Sequence, residues 1–428
     1  MGEAPLGGEA GRAAADRRAR LGVAVLFFVN GALFAGWVTR VPDARDRVGA
    51  GEAELGLALL GIAVGSMLAM PVAGWLCERR GGRCVAIASG FAYCAAIALP
   101  AFAGDVPQLG AALLLVGATA GTLDVSMNVE AISVERAYRR PIMPSFHGWF
   151  SLGGLAGALA GGAVAALAVG AEAHLAGTGA AGAACVAWSA RLVPAAETTS
   201  AAPASRSEAK RLRATPVLVL CGLVAFCAAF GEGAMADWSA LYLTDTLHAG
   251  PGLAAMGYAA FAGAMALGRF GGERVIAARG SAGTLQLGCA AMAIALAVGL
   301  LSGDGVTTLA AFAVAGLGVA CAFPIVLSIA GNGRGAGSGP AVAFVSTIGY
   351  TGFLAGPSLI GVVAEHTTLA WGLGLVPVLA AVAAVLALGL RSAERAATVS
   401  WDCRPDGLSR RCPSSTARSP HDRPSRRT

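Results

Sequence analysis

Asp124 and Asn128 stand one helical turn apart inside an apolar run. A carboxylate in such a run costs about 2.5–3.5 kcal/mol on membrane-insertion scales, so an intramembrane acid ordinarily faces a cavity and works there. Burial favours the neutral form of a carboxyl group. Asp124 is therefore suited to take a proton on one side of a membrane and release it on the other. Asn128 shares its helix face and offers both a donor and an acceptor to a substrate hydroxyl. The plain alternative is a structural acid tied to a neighbouring helix.

Glu232 and Asp237 lie in a second such run. Five residues apart, they point to different faces. Glu232 is the deeper of the two. Asp237, followed by Trp238, reads equally as a solvated acid at the rim. His147 lies near the start of another run and suits a proton relay, or a structural hydrogen bond. Trp37, Trp149, Trp238, Tyr258 and Tyr350 offer flat faces to a sugar ring, although interfacial anchoring and core packing are the commoner uses of such rings. No second histidine stands where a metal would need it, and the ten cysteines are scattered without CxxC spacing. Gly331-Asn332-Gly333-Arg334-Gly335 lacks the Lys and Ser/Thr of a phosphate-binding loop. No cofactor, metal or nucleotide is expected, and no nucleophile–base pairing points to an enzyme.

The elements that must carry these residues follow from composition. The chain is 56% hydrophobic and 13% charged, with 61 glycines in 428 residues. Soluble domains carry about 25% charged residues, and a soluble core of this length has no room for so much apolar side chain. A lipid bilayer does, and glycine is what packed membrane helices use at their contacts. Runs of about 20 apolar residues predict twelve spans. Helices are forced, because an open strand leaves backbone groups unpaired in hydrocarbon. The predicted fold is an all-α integral membrane protein with two six-helix bundles, 21–192 and 215–391. A polar linker, 193–214, joins them; a disordered tail, 1–20, precedes them and a basic one, 392–428, follows. Arg79, Arg80, Arg83, Arg139, Arg140, Arg274, Arg279, the linker and both tails fall on one side of that arrangement. The positive-inside rule makes that side cytoplasmic. The net charge of +6 flanks apolar spans without interleaved aromatics, so nucleic acid is not the expected partner. A monomer is expected.

The halves repeat. Ala69-Met70, Gly74 and Glu78-Arg79 recur as Ala264-Met265, Gly268 and Glu273-Arg274. Gly153-Gly154-Leu155-Ala156-Gly157 recurs as Gly352-Phe353-Leu354-Ala355-Gly356, and Gly117 recurs as Gly316. Two similar halves around a midplane site are the architecture of alternating-access transporters.

With these residues the chain resembles the major facilitator superfamily. Gly74 to Arg83 looks like that family's loop between its second and third helices, with Glu78 where Asp is usual. The resemblance implies a cytoplasmic gate from Gly74, Glu78, Arg79, Gly81 and Arg83, with Glu273 and Arg274 as second copy; plain positive-inside anchoring is the alternative for the arginines. Within the family, three stretches look like the fucose-permease branch: Phe27-Phe28-Val29-Asn30-Gly31, Asp124-Val125-Ser126-Met127-Asn128, and Ser145 to Gly153. They add Asn30 to the cavity candidates. That branch's sugar–proton symporters have a second acid in the first helix, where Val38 stands here; Glu232 is the candidate replacement. The leading expectation is a proton-coupled transporter of a small polar organic solute, sugar-like or a related metabolite. The glycine run of the fifth span keeps open a drug or metabolite exporter working by antiport, and the arginine-rich tail a membrane sensor.

Overall fold

The computed structural model describes residues 6–193, 215–333 and 337–402, and every regular element among them is helical. The first half has α1 (Leu6–Val38), α2 (Glu52–Arg80), α3 (Gly82–Ala96), α4 (Val106–Tyr138), α5 (Met143–Ala166) and α6 (Ala171–Leu192). The second has α7 (Pro216–Leu241), α8 (Pro251–Arg279), α9 (Ser281–Ser302), α10 in two pieces (Gly305–Val319 and Ala322–Asn332), α11 (Ser338–His366) and α12 (Leu375–Asp402). Among the described residues, ten of these passes are both long and apolar enough to cross a membrane. The other two, α6 and α8, have 22 and 29 residues, about 33 and 43 Å of helix against a hydrocarbon core of about 30 Å. Charged Arg269, Glu273 and Arg274 lower the hydropathy of α8, and Glu172, His174, Arg191 and the glycines that of α6.

The helices overrun both segments read as tails: α1 starts at Leu6 and α12 runs to Asp402. Linker residues 194–214 and residues 403–428 lie outside the described residues. Helix starts follow their local signals. Asp105 accepts from the Gln108 amide with Pro107 in the first turn, and Thr215 does the same for Leu218. Asp304 caps α10, and hydrogen bonds from the Thr307 hydroxyl and amide hold its carboxyl below the usual range. At the far end of α1, buried Arg40 donates to His174 Nδ1 and the Val169 carbonyl, both at 3.0 Å, and pairs with Asp43 at 3.1 Å. These bonds pin the turn after α1 onto the α5–α6 connection. One break was not anticipated: α10 is interrupted at Ala320 and Cys321, just ahead of Pro324.

The repeated glycines mark where helices touch backbone to backbone. A Cβ at Gly153 would fall on the Phe28 carbonyl, seating α5 on α1; a Cβ at Gly352 would fall on the Phe226 carbonyl, seating α11 on α7. Gly117 meets Ile62 and Gly316 meets Phe261 in the same way, at the same separation in sequence. The two halves are thus copies in packing as well as in sequence. A side chain forced into such a contact costs about 1–3 kcal/mol through strain. Gly352→Val should therefore lower the melting temperature and the monodisperse yield of purified protein. Gly162→Ala, where a Cβ meets nothing within 4 Å, should change neither.

Candidate functional site

Asp124 and Asn128 are both buried on α4. The Asn128 amide nitrogen donates to the Asp124 main-chain carbonyl at 2.8 Å and stands 3.4 Å from the Asp124 carboxylate Oδ1. A carbonyl only accepts, so this bond fixes which end of the amide is nitrogen. The amide oxygen is then the atom facing His147 Nε2 at 3.3 Å, and His147 must donate through Nε2. Phe27 and Phe323 hold the imidazole edge-on, at 5.2 and 6.0 Å between ring centres. Phe323 belongs to the second half, so the cluster already spans the interface.

The second carboxylate oxygen of Asp124, Oδ2, is buried and finds no hydrogen-bonding partner in the protein. The Tyr93 hydroxyl and Ser346 Oγ are buried and unpartnered as well. Tyr350, on α11, lies within electrostatic reach of Asp124, Tyr93 and Glu232. A buried polar atom left without a partner costs about 1–3 kcal/mol, so these groups are left with unused hydrogen-bonding capacity. Asn30, also buried, donates to the Met127 sulfur at 3.9 Å.

A second cluster gathers around Arg269, which the sequence reading did not single out. Its guanidinium is buried on α8 and touches three other helices. Nη1 donates to Ser151 Oγ on α5 at 2.6 Å, and Nη2 pairs with the Glu232 carboxylate on α7 at 3.4 Å. Nε reaches the Ala320 carbonyl at 3.4 Å, a group freed by the break in α10. A buried membrane cation is tolerated when its charge and its N–H groups are both met. Glu232 is thus an arginine's counter-ion, while its side chain keeps 24% of its exposure. Tyr258 is 39% exposed and lies within electrostatic reach of Glu232, Arg269 and Asp237. The same reasoning that picks out Asp124, a charge inside an apolar span, would have found Arg269.

The two halves meet chiefly along α2–α11 and α5–α8, with further contacts of α4 with α10 and α11 and of α5 with α10. Among the described residues, the hydrogen bonds and ion pairs joining the halves all lie toward the arginine-bearing ends of these helices. Gly74 packs on α11, where its Cβ would sit 2.7 Å from Ala343 Cβ and 2.8 Å from the Gly339 carbonyl. The Glu78 carboxylate lies against Gly337, and Glu273 pairs with Arg140 at 2.6 Å. Other residues expected at this gate do not cross it. Arg79 stacks on Trp75 of its own helix at 4.3 Å. Arg83 caps α6 within the first half, donating to the Ala190 and Val193 carbonyls at 2.7 and 2.8 Å. Gly81, at φ +83°, makes the turn between α2 and α3. Arg274 is exposed.

The seam instead uses Glu135 and Arg136, which the sequence reading left unmarked at the end of α4. Glu135 accepts from the Met143 amide at 3.0 Å and from the Ser328 hydroxyl. Arg136 donates to Asn332 Oδ1 at 2.5 Å and to the Gly331 carbonyl. Of the aromatic candidates, Trp149 meets Phe270 edge-on across the seam, and Trp238 packs beside Gly361 within the second half. Trp37 is 1% exposed, buried in helix packing rather than facing open space. Asp237 is exposed.

Residues 21–338 match the Major Facilitator Superfamily. An uncharacterised MFS-type transporter of Yersinia pestis is 36% identical over 355 residues, covering 82% of this chain and 91% of that one. Membrane protein MosC of Rhizobium meliloti is 32% identical over 357 residues, 81% of this chain and 84% of that one. The crystal structure of FucP, a fucose:proton symporter, in its outward conformation shares the fold with a TM-score of 0.74 at 15% identity, covering 86% of this chain and 97% of that chain. With twelve long helical passes among the described residues, in two repeated halves, and relatives of this closeness, the chain belongs to the Major Facilitator Superfamily and is a multi-pass membrane transporter rather than an enzyme.

Proposed function

We propose that this transporter carries a small polar organic solute, sugar-like or a related metabolite, together with a proton. It works in the bacterial cytoplasmic membrane as a monomer, by alternating access, with both termini and the arginine-rich ends in the cytoplasm. The observation that carries the reading is the buried, unpartnered Oδ2 of Asp124 beside the Asn128–His147 pair. That oxygen can hold a proton without losing any protein bond, and the neighbouring amide, imidazole and hydroxyls can hold a solute's hydroxyl groups. The cytoplasmic seam is closed here, while Glu232, Asp237 and Tyr258 keep exposure. Solute and proton then enter from the outer side, and parting of the seam releases them inward. The fold shared with a fucose:proton symporter agrees with this class of cargo.

Purified protein screened by melting temperature against neutral metabolites should give at least one stabilising ligand, by mass action. That ligand should accumulate in proteoliposomes given an inward proton gradient. Equal accumulation with and without the gradient would remove proton coupling from the reading. An outward flux driven by the same gradient would favour the antiport exporter that the α5 glycine run resembles.

A further inference from the structure

Away from the interface between the halves, α9 and α12 form a basic pocket at their arginine-bearing ends. It is an open depression of about 450 Å³ lined by Arg279, Gly283, Gln286, Leu287, Ala290 and Arg391. The four α9 residues recur at spacings of three and four, so they form one face of that helix. Arg391 hydrogen-bonds to Gln286 and so ties the two helices together above the pocket. Neither Arg279 nor Arg391 is among the ion pairs of the described residues. Two guanidinium groups and an amide converge there, and among the described residues no carboxylate pairs with either arginine.

The α9 face does not end at the pocket. It continues as Leu287, Ile294, Val298 and Leu301, exposed at 49%, 66%, 54% and 86%. From Leu287 to Leu301 the helix rises about 21 Å, more than one leaflet of a hydrocarbon core about 30 Å thick. A charged head site with an apolar rail beneath it matches one kind of molecule. We propose that this pocket binds an anionic phospholipid, its phosphate between Arg279 and Arg391 and one acyl chain along α9. Guanidinium groups suit the phosphate, since their N–H forks match its oxygens. Free phosphate satisfies the arginines but leaves the rail unused. The proposal is independent of what the transporter carries.

The test is native mass spectrometry of the full-length protein in detergent. Phosphatidylglycerol and phosphatidylcholine of the same acyl chains are compared, and inorganic phosphate is added as competitor. Phosphatidylglycerol should bind in preference, and each of R279Q and R391Q should weaken it roughly fivefold. R274Q, on the same side but outside the pocket, should leave binding unchanged. No preference in the wild type, or unchanged binding in R279Q/R391Q, overturns the site. Displacement by inorganic phosphate at the same concentration as by phosphatidylglycerol overturns the lipid assignment. The wild-type comparison holds even if the double variant fails to fold.

Discussion

Asp124→Asn should fold and exchange solute across the membrane, yet no longer accumulate it against a gradient. The amide matches the carboxylate in size and keeps an oxygen for the Asn128 contact. What it loses is the ability to gain and shed a proton, at the one atom of this cluster's carboxylate that the protein leaves unpartnered. A proton gradient of one pH unit stores about 1.4 kcal/mol, or tenfold accumulation, and that factor should fall to one. Two assays read this together. Counterflow of labelled against unlabelled solute reports binding and the conformational cycle, and should survive. Gradient-driven uptake reports coupling, and should vanish. If Asp124→Asn still concentrates solute as the wild type does, the proton travels elsewhere.

Much of this architecture was legible because a bilayer allows so few solutions. Twenty-residue apolar runs must be helices, and a repeated glycine must mark a repeated contact; Gly153 and Gly352 do both. Asp124, Asn128 and His147 meet because two of them share a helix face and the third opens the next helix. The seam was harder to read. Gly74, Glu78 and Glu273 stand at it, but Arg79 and Arg83, neighbours in sequence, turn to Trp75 and to the end of α6. A span ending in several arginines looks the same whether a given arginine anchors to the interface, caps a helix or crosses to the other half. Choosing between these needs the partner helix, which lies some 190 residues away for the Glu135–Ser328 and Arg136–Asn332 bonds. The break in α10 has a local cause in Pro324, which has no N–H for the Ala320 carbonyl and whose ring crowds it; the carbonyl so freed is met by Arg269 from another helix.

Arg269 ties these strands together and yields the second large effect. Arg269→Gln should part the seam between the halves more often. Its bond to Ser151 is the side-chain hydrogen bond between α5 and α8 among the described residues, and hydrogen bonds to charged groups contribute about 1.5–3 kcal/mol. Losing it should raise the population of the seam-open state by roughly ten- to a hundredfold. Cys77 supplies a native reporter: it is 5% exposed on α2, backed against Gly339 at the seam. Its modification by a thiol reagent in inverted vesicles, followed by mass spectrometry, should speed up by that factor. Unchanged labelling would mean that the α2–α11 contact, not Arg269, holds the seam. Glu232→Gln is the informative counterpart. It leaves Arg269 buried without its counter-ion, so stability should fall by about 3 kcal/mol, at the low end because the Glu232 side chain keeps some exposure. Removing both charges in Glu232→Gln/Arg269→Gln should recover part of that loss while keeping the seam loose. The two residues would then be coupled in stability and separable in gating. Such a split is expected of a cation that is neutralised by its own half of the molecule and bonded to the other.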